Sequence, residues 1–310
     1  MTGSSTPLRV GYIAGYGRSG STVLDIVLGQ HPQLLAVGEL ANLSKRVWVN
    51  NEYCSCGARV RDCPFWSEVC RRFTQRFGED ALRAYAKLQA RFEGLSVLTS
   101  SSVRSLRNPG GFVDYCAYTE SLFAILVKAS GKPVVIDSSK LPGRALTLAF
   151  IPGLDLQLIH LLRDGRGVAW SLTKAYVKDE QSGIERPLAS RSVPRTAIRW
   201  ATVNLATEAV VRRLDANRAM RMRYEDFVTA PAVELARVGT LLDADLRSVC
   251  TRLQTGKLFE PGHIVAGSRV RMAGTLKLKF DQDWMRLMPA PQRRVFQILC
   301  GWLQRRYGYS

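Results

Sequence analysis

The sequence predicts an α/β chain built on a central parallel sheet with helices on both faces. Three observations carry this. A buried apolar run, Leu8 to Ala14 (LRVGYIA), opens into a glycine-rich turn and then an amphipathic run, Thr22 to Gly29, which reads as strand, loop and helix. Two further apolar runs, Pro133 to Asp137 (PVVID) and Leu156 to Leu162 (LQLIHLL), also end in polar residues and lead into helical patterns. Alternation of this kind argues for parallel strands joined by helical crossovers, with a functional site at the carboxyl ends of the strands.

After the first strand and helix comes an insert, Asn50 to Gly111, with four cysteines and helical stretches such as Asp80 to Arg91. It reads as a helical cap within a single domain spanning 1–310. The segment Lys178 to Pro194 (KDEQSGIERPLASRSVP) is polar, holds one Gly and two Pro, and lacks periodicity. It is expected to be a loop, either a lid over the site or an idle surface connection. A fourth strand is expected at Ala219 to Tyr224, and no internal repeat or low-complexity tract interrupts the chain.

The 310 residues are 46% hydrophobic and 23% charged, which excludes disorder as the dominant state. No apolar run approaches the roughly 20 residues of a membrane span, and the N-terminal MTGSSTPLRV lacks a signal peptide's apolar core, so a cytoplasmic location is expected. Seven cysteines, an odd number, favour reduced thiols over a secreted disulfide framework. Charge is more telling: 44 Lys+Arg against 26 Asp+Glu leave +18, and 34 of the cations are Arg. Guanidinium forks suit phosphate or carboxylate. On charge alone nucleic acid, an anionic membrane surface and a phosphorylated nucleotide all remain open as partners.

The first turn narrows the field. A strand feeding GYGRSGST and then a helix sets backbone N–H groups and a helix dipole where an anion binds. The pattern lacks the lysine that precedes the hydroxyl residue in a GxxxxGK[ST] loop; before Ser21 and Thr22 the cation is Arg18, inside the turn. A P-loop kinase-like phosphotransferase would further need a carboxylate for magnesium, for which Asp137 is the candidate. A second anion site is suggested by LIHLLRDGRGVAWSL, where Arg163 ends a strand and Ser171 follows eight residues later in a helical pattern.

With these two motifs the sequence resembles the sulfotransferases that use 3′-phosphoadenosine 5′-phosphosulfate (PAPS), transferring its sulfuryl group to an alcohol or amine. The resemblance implies a P-loop-NTPase-like sulfotransferase fold with a helical insert. It further implies that Arg18, Ser19, Gly20, Ser21 and Thr22 bind the 5′-phosphosulfate and that Arg163 and Ser171 bind the 3′-phosphate. It extends through His31-Pro32, Gly38-Glu39, DSSKLP (Asp137 to Pro142) and RYEDF (Arg223 to Phe227) to HIVAGSRVR (His263 to Arg271), with Arg271 as a further 3′-phosphate contact. It covers about Val10 to Trp284. Many cytosolic members carry lysine where this chain has Arg18.

The implied reaction is an in-line displacement with 3′,5′-phosphoadenosine (PAP) as leaving group, in which the protein positions and stabilises. Arg18 neutralises the leaving phosphate without requiring a metal. A hydroxyl acceptor needs a general base. Glu39 is the first candidate, matching a base in the family's tyrosylprotein branch. Lys140, aligned through the shared LP with a catalytic histidine of cytosolic members, is the better clamp on the sulfuryl oxygens. The acceptor is expected to be a small molecule, natural product or glycolipid; a lipid-linked acceptor would bring peripheral membrane association. His31 reads as capping a turn and His160 as a core histidine.

Cys54, Cys56, Cys63 and Cys70 lie within seventeen residues (CSCGARVRDCPFWSEVC). Packed thiols, a disulfide and zinc are all compatible with that spacing, which is not a standard zinc pattern. Phe65, Trp66, Tyr115 and Tyr118 are either core aromatics or the walls of an apolar acceptor pocket. A nucleic-acid-binding protein would call for the arginines to share one face with aromatic platforms, whereas they scatter over many segments.

Overall fold

The fold was established from a computed structural model that describes residues 6–99, 110–256, 259–274, 278 and 282–310. Strand β1 (Leu8–Ala14) lies at the middle of a five-stranded sheet. The other strands are β2 (Leu34–Gly38), β3 (Val134–Lys140), β4 (Leu154–Leu162) and β5 (Ala219–Arg223). Their order is β2-β3-β1-β4-β5 and every pairing is parallel. Four strands match the expected runs. The fifth, β2, was not expected: its five residues LLAVG are all buried, so no apolar–polar alternation marks them as a strand.

The pleat of β1 divides the core. Val10, Tyr12 and Ala14 face one side, where helices α2 (Pro64–Phe77), α3 (Ala81–Phe92) and α4 (Phe112–Ser130) contribute Trp66, Phe73, Tyr85 and Tyr115 to the same apolar cluster. Trp66 and Tyr115 are fully buried, and Tyr118 stacks on Phe77 with ring centroids 4.2 Å apart, so these aromatics are core. Ile13 faces the opposite side with Leu24 and Val27 of α1 (Ser21–Leu28). The last part of the expected insert, 100–109, lies outside the described residues.

Helices α5 (Pro142–Ala149), α6 (Gly165–Thr173) and α7 (Val193–Val211) follow β3, β4 and the polar segment. Beyond β5 come α8 (Tyr224–Thr229), α9 (Pro231–Leu242), α10 (Arg247–Gln254), α11 (Asp283–Leu287) and α12 (Ala290–Arg306). Val238 and Leu242 of α9 complete the Ile13 side, and Leu162, Trp200 and Phe296 anchor a third cluster. Among the described residues no helix is long and apolar enough to cross a membrane.

Two irregular segments shape the carboxyl end of the sheet. The chain from His263 to Arg271 returns beside β2, where Val265 N–H donates to the Val37 carbonyl (3.1 Å) and Glu39 N–H to the Val265 carbonyl (3.0 Å). The expected loop 178–194 is partly ordered by antiparallel bridges, Tyr176 with Leu188 and Asp179 with Ile184. Its last two residues belong instead to α7, because Pro194 suits a helix's first turn, where its missing N–H goes unused.

Candidate active site

Between β1 and α1 the turn is forced by backbone geometry. Gly15 has φ +139°, and a Cβ there would sit 2.4 Å from the Leu161 carbonyl oxygen; Gly20 has φ +89°, and its Cβ would meet the Tyr224 ring at 2.2 Å. Only glycine serves at either position. Arg18 is itself left-handed, at φ 67°, a strain of order 1–3 kcal/mol for a side chain that must face a set direction. No side chain caps α1, so its first N–H groups stay available to an anion. Ser21 and Thr22 stand on that first turn and are buried, while Ser19 Oγ is spent inside the turn, donating to the Tyr16 carbonyl at 2.8 Å.

The electrostatics around Arg18 favour a negative ligand. Burial lowers the Arg18 guanidinium below its ordinary pKa; Tyr176 and Glu39 raise it, and Arg269 and Arg191 lower it further. Tyr176 lies between two cations, 6.0 Å from the Arg18 guanidinium and 5.2 Å from that of Arg269. Tyr176, Arg191 and Arg269 are therefore neighbours that the sequence reading missed. Arg269, two residues before Arg271, carried the only signal.

Glu39 and Lys140 meet although 101 residues separate them. Lys140 closes β3 with φ 68°, its carbonyl accepts from Gly15 N–H at 3.4 Å, and its Nζ donates to Glu39 Oε1 at 2.5 Å and to the Ser138 carbonyl at 3.1 Å. Asn42 Nδ2 donates to Glu39 Oε2 at 2.7 Å. A Cβ on Gly267 would lie 3.0 Å from Thr22 Oγ1 and 3.7 Å from Glu39 Oε1, so loop, carboxylate and C-terminal segment border one point. Ser268 N–H donates to Thr22 Oγ1 at 3.1 Å and pins that segment there.

The second motif touches the first. Arg163 Nη1 donates to the Arg18 carbonyl at 3.0 Å, and its guanidinium lies 5.1 Å from the Tyr224 ring centroid. Tyr224 of RYEDF thus packs on both Gly20 and Arg163. A Cβ on Gly167 would lie 3.7 Å from Arg163 Nε, and Ser171, half-buried, is one turn further along the same face of α6. The remaining acids of RYEDF are structural: Glu225 accepts from Asp164 N–H at 3.0 Å and Asp226 pairs with Arg223.

Arg271 is fully buried, and its guanidinium bonds Glu185 Oε1 (3.1 Å), the Gly183 carbonyl (3.2 Å) and the Tyr53 carbonyl (3.4 Å). Asp137 is also fully buried. Its Oδ1 accepts from Ser139 N–H and its Oδ2 from Arg144 Nε, both at 2.9 Å, so it organises the DSSKLP turn rather than facing a nucleotide. His160 is a core residue bonded to Asn204 at 3.2 Å, and burial lowers its pKa to about 4. His31 Nδ1 accepts from Gln33 N–H at 3.3 Å, capping the turn as read from sequence. None of the seven cysteines is joined in a disulfide.

The model of the sulfotransferase family matches residues 12–248. Among solved structures, the sulfotransferase domain of the Synechococcus PCC 7002 olefin synthase is similar at a TM-score of 0.52 and 19% identity, over 100% of this chain and 98% of that one. The sulfotransferase domain of the Curacin biosynthetic pathway gives 0.51 and 17%, over 99% of both chains. At such identities the likeness is one of fold, and the fold is the one the resemblance implied. No curated protein matches the sequence.

Proposed function

Because the chain belongs to the sulfotransferase family, we propose that it moves a sulfuryl group from PAPS to a hydroxyl of a small-molecule, natural-product or lipid-linked acceptor, with PAP as leaving group. The observation that carries this reading is the meeting of an uncapped helix N-terminus and a carboxylate–ammonium pair around Thr22 and Gly267, with the half-buried Arg18 in the turn that leads into that helix. In this reading the loop N–H groups, Ser21 and Thr22 hold the 5′-phosphate, and Arg18 offsets the charge that grows on it as the S–O bond breaks. Arg163 and Ser171 take the 3′-phosphate. Arg271 would reach it only by giving up the contacts described above, whereas Arg269 of the same segment shares Tyr176 with Arg18 and so belongs beside the 5′-phosphate.

Glu39 and Lys140 divide the remaining chemistry. A carboxylate offers about four lone-pair sites, and Lys140 and Asn42 engage one on each oxygen, which leaves Glu39 oriented and still able to accept the acceptor's proton. Lys140 uses two of its three N–H groups on Glu39 and Ser138. The third is left for a sulfuryl oxygen. A kinase-like reading is disfavoured by Asp137, the carboxylate it would need for magnesium, which is buried on Arg144.

The test is single-turnover transfer from PAPS with a panel of phenols and alcohols, together with PAP affinity. Glu39→Gln should keep PAP affinity and lose about 10²–10⁴-fold in rate. Lys140→Ala should also lose rate heavily. Unchanged turnover in Glu39→Gln would remove it as base, and a loss confined to Lys140→Ala would make the lysine the base.

A further inference from the structure

The insert's four cysteines divide into one and three. Cys70 is buried in α2 among apolar side chains, where burial pushes its thiol pKa up. Cys54, Cys56 and Cys63 instead converge with His263, two hundred residues away, so that the four ligand atoms all lie within 4.8 Å of one another. Cys56 Sγ is 3.7 Å from Cys63 Sγ, and His263 Nδ1 is 3.3 Å from Cys63 Sγ and 3.8 Å from Cys54 Sγ. A tetrahedral zinc, with Zn–S near 2.3 Å and Zn–N near 2.0 Å, sets neighbouring donors about 3.5–3.8 Å apart.

We propose that Cys54, Cys56, Cys63 and His263 form a structural zinc site that fastens the insert to the C-terminal segment 263–271. Three sulfurs and one imidazole nitrogen make a closed tetrahedral set of the structural type, with no position left for substrate. Each ligating thiol passes its proton to solvent.

The surroundings hold these donors in place from outside. Gly57, at φ +88°, turns the chain so that its N–H donates to the Cys54 carbonyl (3.0 Å) while Cys54 N–H donates to the Ala58 carbonyl (2.9 Å), bringing Cys54 and Cys56 to one side. Phe65 stacks on the His263 ring, centroids 5.1 Å apart and planes 15° apart, and Trp66 Nε1 donates to the His263 carbonyl at 2.7 Å. Ser55 N–H donates to the Ile264 carbonyl at 3.1 Å, and Ile264 N–H donates back to Ser55 Oγ at 2.7 Å. Outer contacts of this kind fix a ligand's orientation before the metal arrives. Two residues beyond His263 the segment pairs with β2, and at Gly267 it borders Glu39. Zinc would therefore anchor one side of the proposed active site without entering the reaction.

Metal analysis of the wild-type chain, purified without chelators, should give about one zinc per chain. Chelated protein should take up cobalt(II) with the intense visible bands of a tetrahedral thiolate site. Cys54→Ser, Cys63→Ser and His263→Ala should lose most of the metal, and Cys70→Ala should keep it. A wild-type chain that holds no zinc and binds no cobalt would overturn the proposal, as would a native disulfide among Cys54, Cys56 and Cys63 or full zinc retention in His263→Ala. The wild-type measurements stand even where a variant fails to fold. They are read without nucleotide or acceptor, so their outcome is separate from that of the sulfuryl-transfer reading.

Discussion

Arg163 serves two neighbours at once, holding the Arg18 carbonyl through Nη1 while its guanidinium lies over Tyr224. As the proposed contact to the 3′-phosphate it gives a sharp expectation. Arg163→Ala removes a charge-assisted hydrogen bond worth roughly 1.5–3 kcal/mol, so PAP affinity measured calorimetrically should fall about 10- to 150-fold. Ser171→Ala should cost less, because the hydroxyl carries no charge. Unchanged affinity in Arg163→Ala would separate the second motif from nucleotide binding. At this scale the sequence singles out Arg18, Glu39, Lys140 and Arg163 because each sits in a motif, and the fold brings Lys140 to Glu39 and Arg163 to the Arg18 carbonyl. Pairings were not legible, since Lys140 meets Glu39 across 101 residues and Cys63 meets His263 across 200. Tyr176 gave no signal at all, being one aromatic in a polar stretch.

The turn and helix after β1 were readable as a unit because glycine punctuation and apolar periodicity change abruptly there. Strand β2 was not readable, because LLAVG is only five residues long and, following the apolar helix α1 closely, gives no period that would tell a short buried strand from more helix. Helix α1 also hides an acid. Asp25 is wholly buried, its Oδ2 accepts from Ser138 Oγ at 3.0 Å, and burial, reinforced by Asp137, raises its pKa to about 8 against an ordinary 3.8. Between those values the folded chain holds one proton more than the unfolded chain. Stability should therefore fall as pH rises from about 4 to 8, by up to about 1.4 kcal/mol per pH unit from this group. Above that window the loss is complete. Asp25→Asn cannot titrate, so denaturant unfolding at pH 5 and pH 8 should show a smaller drop than in wild type; identical drops would mean that Asp25 is ionised in the folded chain.

Across the whole molecule much of the cationic charge has a partner. Glu208 alone receives Arg212, Arg221 and Arg306; Arg144 bridges Asp137 and Glu93; and Arg46, Arg223, Arg237 and Arg247 each hold a nearby carboxylate. These arginines are spread over many elements and mainly bind the chain to itself. Around the glycine-rich turn Arg18, Arg191 and Arg269 lie close together, and on the proposed reading they would suit one compact anion better than a nucleic-acid backbone. Net charge read from the sequence thus pointed to an anionic partner, and only the fold shows where the cations gather. The most direct test of the central claim compares thermal unfolding of the wild-type chain with PAP, with ATP and magnesium, and with duplex DNA at equal concentrations. PAP at a hundredfold excess over its dissociation constant should add about 2.7 kcal/mol and raise the melting temperature by several degrees, with much smaller shifts from the other two. An equal or larger shift with ATP and magnesium, or with DNA, would contradict the assignment.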